Sequence, residues 1–210
     1  MKTDDLIATL SSQPAAPPLR SGPQVRALLA AMAISAGVFL AVAGPRAGLP
    51  GLLMQPLIAA KTLLPTLACL IGLPALMALL YPEGRIVHPL RLALPLALAA
   101  GLWGGGFVTL PDAARFAQFT PLAIVECVGL ILVIAALPLW VVLRLSARGA
   151  PTRPALTGAL AGLVVGSGAA AGYSFFCLQD NPLFYVTWYG TAIGLTIAAG
   201  AWLGARRLRW

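Results

Sequence analysis

Six apolar runs, residues 27–43, 63–80, 92–110, 122–143, 155–178 and 183–204, alternate along the chain with short turns rich in proline, glycine and arginine. The fifth, Ala155 to Leu178, holds 24 consecutive uncharged positions, enough at about 1.5 Å per residue to cross roughly 30 Å of hydrocarbon with some tilt. The pattern predicts an all-α, polytopic membrane protein: a bundle of six transmembrane helices with short loops. Pro65, Pro74, Pro95 and Pro138 fall inside these runs, which membrane helices tolerate when neighbours satisfy the freed carbonyls. Within the fifth run Gly158, Gly162 and Gly166 recur every four residues on one face, the small-xxx-small pattern that lets another helix come close. Residues 1–26 precede the membrane domain, 27–210, as a separate segment. Thr3 can cap a short helix over Thr3 to Leu10 whose first turn carries Asp4 and Asp5, favourable at the positive end of the helix dipole, with Leu6, Ile7 and Leu10 as a small apolar face. Pro14, Pro17, Pro18 and Pro23 then make a stiff, extended tether.

Composition fits a bilayer and excludes a soluble domain: 60% of residues are hydrophobic and 10% charged, against roughly a quarter charged in soluble domains. The net charge of +8 does not point to nucleic acid, because the basic residues are scattered through turns, where they set topology and meet lipid headgroups. Six spans with a cytoplasmic N-terminus place Lys2, Arg20, Arg26, Arg85, Arg91, Arg144, Arg148, Arg153, Arg206, Arg207 and Arg209 inside the cell and only Arg46, Lys61 and Arg115 outside. Eleven against three follows the positive-inside bias and puts both termini in the cytoplasm. Lys61, at the outer edge of the second run, is expected to snorkel to the interface. Phe184, Tyr185, Trp188 and Tyr189 are expected to form an interfacial belt. A competing reading treats the first run as a cleaved signal peptide ending at Ala41-Val42-Ala43, although 26 leading residues with two aspartates are long for its charged region.

Little of the chain offers chemistry. Cys127 lies about seven residues into a span that starts outside, so roughly 10 Å deep, and Cys177 lies at the outer end of the next. Consecutive spans joined by a short turn are expected to be antiparallel neighbours, so the two thiols could form a disulfide or bind a soft metal ion. Each could equally be a small buried hydrophobe. Cys69 and Glu126 are possible accessories, Glu126 because an ionisable residue inside a span is a functional candidate unless it simply reaches water. His88 falls at the cytoplasmic end and cannot complete a site with these cysteines. No nucleophile with an adjacent base, phosphate loop or acidic cluster suggests an enzyme, and no bound cofactor is expected.

Several stretches resemble the NrsF-type anti-sigma factors, six-span proteins of the bacterial inner membrane that restrain extracytoplasmic-function sigma factors. They are Met1-Lys-Thr-Asp-Asp-Leu-Ile7, Pro82 with Gly84 and Arg85, Cys127, and above all Arg148 to Trp210, with Cys177, Asp180-Asn-Pro-Leu-Phe184, Trp188-Tyr189 and Arg206-Arg-Leu-Arg-Trp210. The resemblance implies that Cys127 and Cys177 are sensor cysteines. It also implies that the sigma factor is held near Asp4, Asp5, Leu6 and Ile7, and released when metal or oxidative stress modifies the outer thiols. The partners are then a sigma factor and the lipid bilayer, with no direct contact to nucleic acid. The alternatives from composition are a small-molecule or metal-ion permease and a structural membrane subunit held by the Gly158, Gly162, Gly166 face.

Overall fold

The computed structural model describes residues 3–12, 21–82, 84–86 and 88–208; Pro14, Pro17 and Pro18 of the expected tether lie outside them, as do the side chains of Leu6 and Leu10. Among the described residues the secondary structure is entirely helical. A short helix α1 (Thr3–Ser12) carries Asp4 and Asp5 in its first turn. Six helices are long and apolar enough to cross a membrane: α2 (Ser21–Ala43), α4 (Pro56–Ala78), a helix that opens with a 3₁₀ turn at Pro89–Leu92 and continues as α5 (Ala93–Thr109), α7 (Pro121–Ser146), α8 (Pro154–Tyr173) and α9 (Pro182–Arg207). Two single-turn helices, α3 (Leu49–Leu52) and α6 (Asp112–Arg115), sit in the connections.

Four of the spans, α4, α7, α8 and α9, begin with proline at the first helical position. That position loses nothing by lacking an N–H, since the first-turn donors have no intrahelical partner. Thr120 and Asn181 cap α7 and α9 by accepting the amides of Ala123 and Leu183 at 3.3 and 2.9 Å. Two starts differ from the hydropathy pattern. α2 begins at Ser21, so Pro23 lies in its first turn and not in an extended tether. α4 begins at Pro56, seven residues before the apolar run it contains, and this draws Lys61 into the helix.

α8 is the axis of the bundle. It packs on α9, α4, α7 and α2, and 61% of its core window is buried, against 11% for α2 and for the span containing α5. The composition of α8 allows this: its glycines let a neighbour's backbone reach its own. A Cβ on Gly158 would strike the carbonyl of Gly200, one on Gly162 the carbonyl of Thr196, and one on Gly166 the Thr196 hydroxyl. Gly200 and Gly204 answer from α9, each lying against backbone of Gly158 or Pro154. The stripe therefore faces the chain's own last helix. On the opposite side Gly168 and Gly172 admit Met32 and Ala36 of α2.

Three of the four aromatic residues expected to form a belt near the start of α9 point inward instead, and the fourth, Trp188, is half-buried. Phe184, Tyr185 and Tyr189 are buried; Phe184 meets Phe119 edge-on at 5.5 Å, and Tyr189 meets Tyr173 at 5.8 Å. Burial of these rings outweighs the preference of an aromatic for the headgroup region because each fills volume in the common core.

Replacing Gly162 by leucine should destabilise the protein by about 3 kcal/mol or more, since the side chain meets backbone that cannot rotate away. Gly129→Ala, where an added methyl meets nothing within 4 Å, should be neutral or slightly stabilising. Denaturant titration of the purified protein in detergent compares the two, and equal stability would remove the close-packing role.

Candidate functional site

The apolar run from Ala155 to Leu178 is not one helix. α8 stops at Tyr173, and residues 174–181 form an irregular segment that leads into α9. Tyr173's carbonyl takes the amides of Phe176 and Cys177 at 2.9 and 3.1 Å, closing the helix with a turn. Cys177 therefore lies beyond the helix end, 3% exposed.

Three parts of the chain grip this segment. Lys61, six residues into α4 and 1% exposed, donates to the carbonyl of Cys177 at 2.7 Å, to that of Gln179 at 3.0 Å and to Asp180 Oδ1 at 3.0 Å. An ammonium has three N–H donors, and here each finds an acceptor. It does not snorkel. Arg46, in the turn after α2, forms a two-pronged pair with Asp180 at 2.7 and 2.9 Å, donates to the Cys177 carbonyl at 3.3 Å, and its backbone amide reaches the Phe175 carbonyl at 2.9 Å. Asn181 caps α9 and also donates to the carbonyls of Ala114 and Arg115 in α6 at 3.1 and 2.9 Å. One step from Lys61, Thr62 bonds to the Ser174 hydroxyl at 2.7 Å.

Burial alone would push the Asp180 carboxyl up, but the hydrogen bonds from Arg46 and Lys61 outweigh it and hold the group below the ordinary carboxylate range. The same hydrogen bond raises the Arg46 guanidinium against the opposing effect of its burial. Arg115, the remaining basic residue at this end, pairs with Asp112.

Cys127 is fully buried on α7 and Cys69 nearly so on α4; with Cys177 they are three free thiols. Cys127 and Cys177 share one core cluster. A cavity of about 250 Å³ reaches Cys177 from this end of the bundle, walled by Arg46, Ala123, Glu126, Tyr173 and Phe176. Glu126 is exposed on its rim; Cys127, the next residue round the helix, faces the core. Cys69 lies against Gly168, eight residues along α4 from Lys61 and so about 12 Å away along the axis. Among the described residues no three His, Cys, Asp or Glu side chains are grouped to hold a metal ion. Asp4, Asp5 and Ile7 are exposed on α1, and the side chain of Leu6 lies outside what is described. His88 precedes the 3₁₀ turn at the Arg153 end.

Hydropathy did not reveal the clamp of Arg46, Lys61 and Asp180. A signal was nevertheless present: Asp180 is the sole acid between Glu126 and the C-terminus, set beside an apolar run. A lysine and an acid each next to apolar runs call for one another.

Six membrane-length helices around a glycine-lined axis make this chain a multi-pass membrane protein. It belongs to the NrsF family, negative regulator of sigma F, whose family model matches residues 10–210. A relative from Azospira oryzae, described as a probable anti-sigma-F factor NrsF, is 31% identical over 216 aligned residues that cover all of both chains. No solved structure matches.

Asp180→Ala leaves Lys61 and Arg46 without their counter-ion and should cost about 3–5 kcal/mol. Asp112→Ala, at a carboxylate 88% exposed, should cost about 0–1 kcal/mol. Because the Asp180 pKa is lowered on folding, its contribution is complete above the unfolded value of about 4 and is lost as pH falls further. Stability of the wild type relative to Asp180→Asn should thus be constant from pH 7 to 5 and shrink below about 4. A difference that varies across neutral pH would contradict the assignment.

Proposed function

We propose that this chain is an anti-sigma factor of the bacterial inner membrane that holds an extracytoplasmic-function sigma factor at its cytoplasmic segment, residues 1–26, and releases it when Cys127 and Cys177 are modified by a metal ion or an oxidant. Family membership supports the regulatory part. The observation that carries the sensing part is the placement of Cys177: the residue borders a cavity, and its carbonyl is held by both Lys61 and Arg46. A bulky adduct or a disulfide at this sulfur would displace a carbonyl on which α4 and the α2 turn both depend.

Charge supports the orientation. By sequence, the end bearing Cys177 has Arg46, Lys61 and Arg115 against Asp112, Glu126 and Asp180, and is neutral. The entire net charge of +8 belongs to the opposite end, as the positive-inside bias requires of a cytoplasmic face. By sequence α1 precedes α2, which would put it on that side, and it carries two acids at the positive end of its helix dipole. A sigma factor binds DNA through basic surfaces, and such a surface is complementary to Asp4 and Asp5.

Membranes carrying the full chain should capture an extracytoplasmic-function sigma factor of the same organism, and Asp4→Lys with Asp5→Lys should reduce capture at least about tenfold. Cadmium or diamide should release the captured protein from the wild type and fail to do so from the Cys127→Ser, Cys177→Ser double variant. Capture unaffected by the α1 substitutions, or release equal in the two proteins, would reject the corresponding half of the mechanism.

A further inference from the structure

At the Arg153 end two cavities share Arg85 and Ile86 as wall residues. One, of about 700 Å³, lies between the turn after α4 and the start of α8, and its walls combine Arg85 and Arg153 with Leu79, Ile86 and Leu156. The other, about 300 Å³, shares Arg85 and Ile86, has Arg91 at its mouth, and runs along α4 past Ala78, Ala75 and Leu70. Ala78 to Leu70 is eight residues, about 12 Å along the helix axis. Side by side on these two residues, they set a cationic end next to an apolar groove that follows a membrane-length helix.

The mouth is built by local geometry. The turn after α4 folds back so tightly that a Cβ on Gly84 would strike the Ala78 carbonyl, and this brings Arg85 over the end of α4. Ala150 donates its amide to the Leu80 carbonyl at 3.3 Å, fixing the turn before α8 against the same helix end and bringing Arg153 alongside. Arg85, Arg91 and Arg153 are all exposed, and none has an ion pair among the described residues. Among the described residues that line the two cavities there is no acid.

We propose that this composite cavity is a binding site for an anionic phospholipid, with the phosphate between Arg85, Arg91 and Arg153 and one acyl chain along Ala78, Ala75 and Leu70. The two halves of such a molecule match the two halves of the site in polarity and order: a phosphate at helix-end level and a chain below it. Guanidinium forks suit phosphate oxygens, and cationic pockets between helices at the positively charged end of a membrane protein meet the leaflet where anionic lipid is richest. A free phosphate would use only the mouth. An acidic protein segment would leave the groove inside the bilayer empty.

Native mass spectrometry of the full chain in detergent, with phosphatidylglycerol or phosphatidylcholine added, tests the assignment. The wild type should retain phosphatidylglycerol in clear preference to phosphatidylcholine. Arg85→Gln and Arg153→Gln should each weaken it about fivefold, and Ala75→Phe, which blocks the groove and leaves the charges in place, should weaken it by a similar factor. Inorganic phosphate should not displace it. Equal retention of the two lipids by the wild type would overturn the proposal, as would full displacement by inorganic phosphate. So would arginine variants that keep phosphatidylglycerol but lose the sigma factor, which would give the mouth to a protein segment.

Discussion

A lysine ammonium buried at 1% exposure among apolar helices is the constraint on which one end of this protein depends. Taking a charge out of water costs several kcal/mol, recovered only when geometry and hydrogen bonds are both good. Lys61 meets that condition by using the polar groups that a terminated helix offers. The carbonyls of Cys177 and Gln179 and the Asp180 carboxylate are free because α8 has ended at Tyr173. Arg46 then completes the neutralisation from α2 and doubles the hold on the Cys177 carbonyl. The irregular segment, the helix end and the two cations form one unit, in which no member is satisfied without the others.

The glycine contacts between α8 and α9 do a different job. Hydrophobic burial drives little association inside a bilayer, where lipid is as apolar as the helix, so close van der Waals contact must hold the pair. Backbone against backbone at Gly158, Gly162, Gly200 and Gly204 supplies that contact and leaves few alternative registers. α8 becomes a stiff rod joining the clamp at one end to the turn bearing Arg153 at the other. α4 runs beside it between the same two places, from Lys61 to the Leu80 carbonyl that receives Ala150. The two ends of the bundle are thus joined by a pair of packed helices, a contiguous route along which a displacement could pass.

The number of spans, their all-helical nature and the close-packing surface of α8 were legible in hydropathy and glycine spacing, because both are one-dimensional patterns. Features that depend on where an apolar stretch stops being helical were not. Ser174-Phe-Phe-Cys177 continues the hydropathy of α8 without a break, so nothing in the pattern marks Tyr173 as its end. The start of α4 at Pro56 was hidden in the same way, and with it the burial of Lys61. Aromatic residues at a span end satisfy equally a belt and a core; only the third dimension shows that Phe184, Tyr185 and Tyr189 turn inward. Residue counting alone places Cys127 near the end of the bundle that carries Cys177, whereas the cavity beside Cys177 and the clamp on its carbonyl are tertiary features.

Lys61 and Asp180 stand 119 positions apart, and a ribosome making roughly 5–20 residues per second needs on the order of ten seconds to travel between them. During biogenesis the lysine is therefore delivered to the insertion machinery long before its counter-ion exists, and four helices must wait in the bilayer around an unneutralised cation. The clamp is thus a late closure: every acceptor of the Lys61 ammonium lies beyond the end of α8, and a chain stopped before that point has none of them.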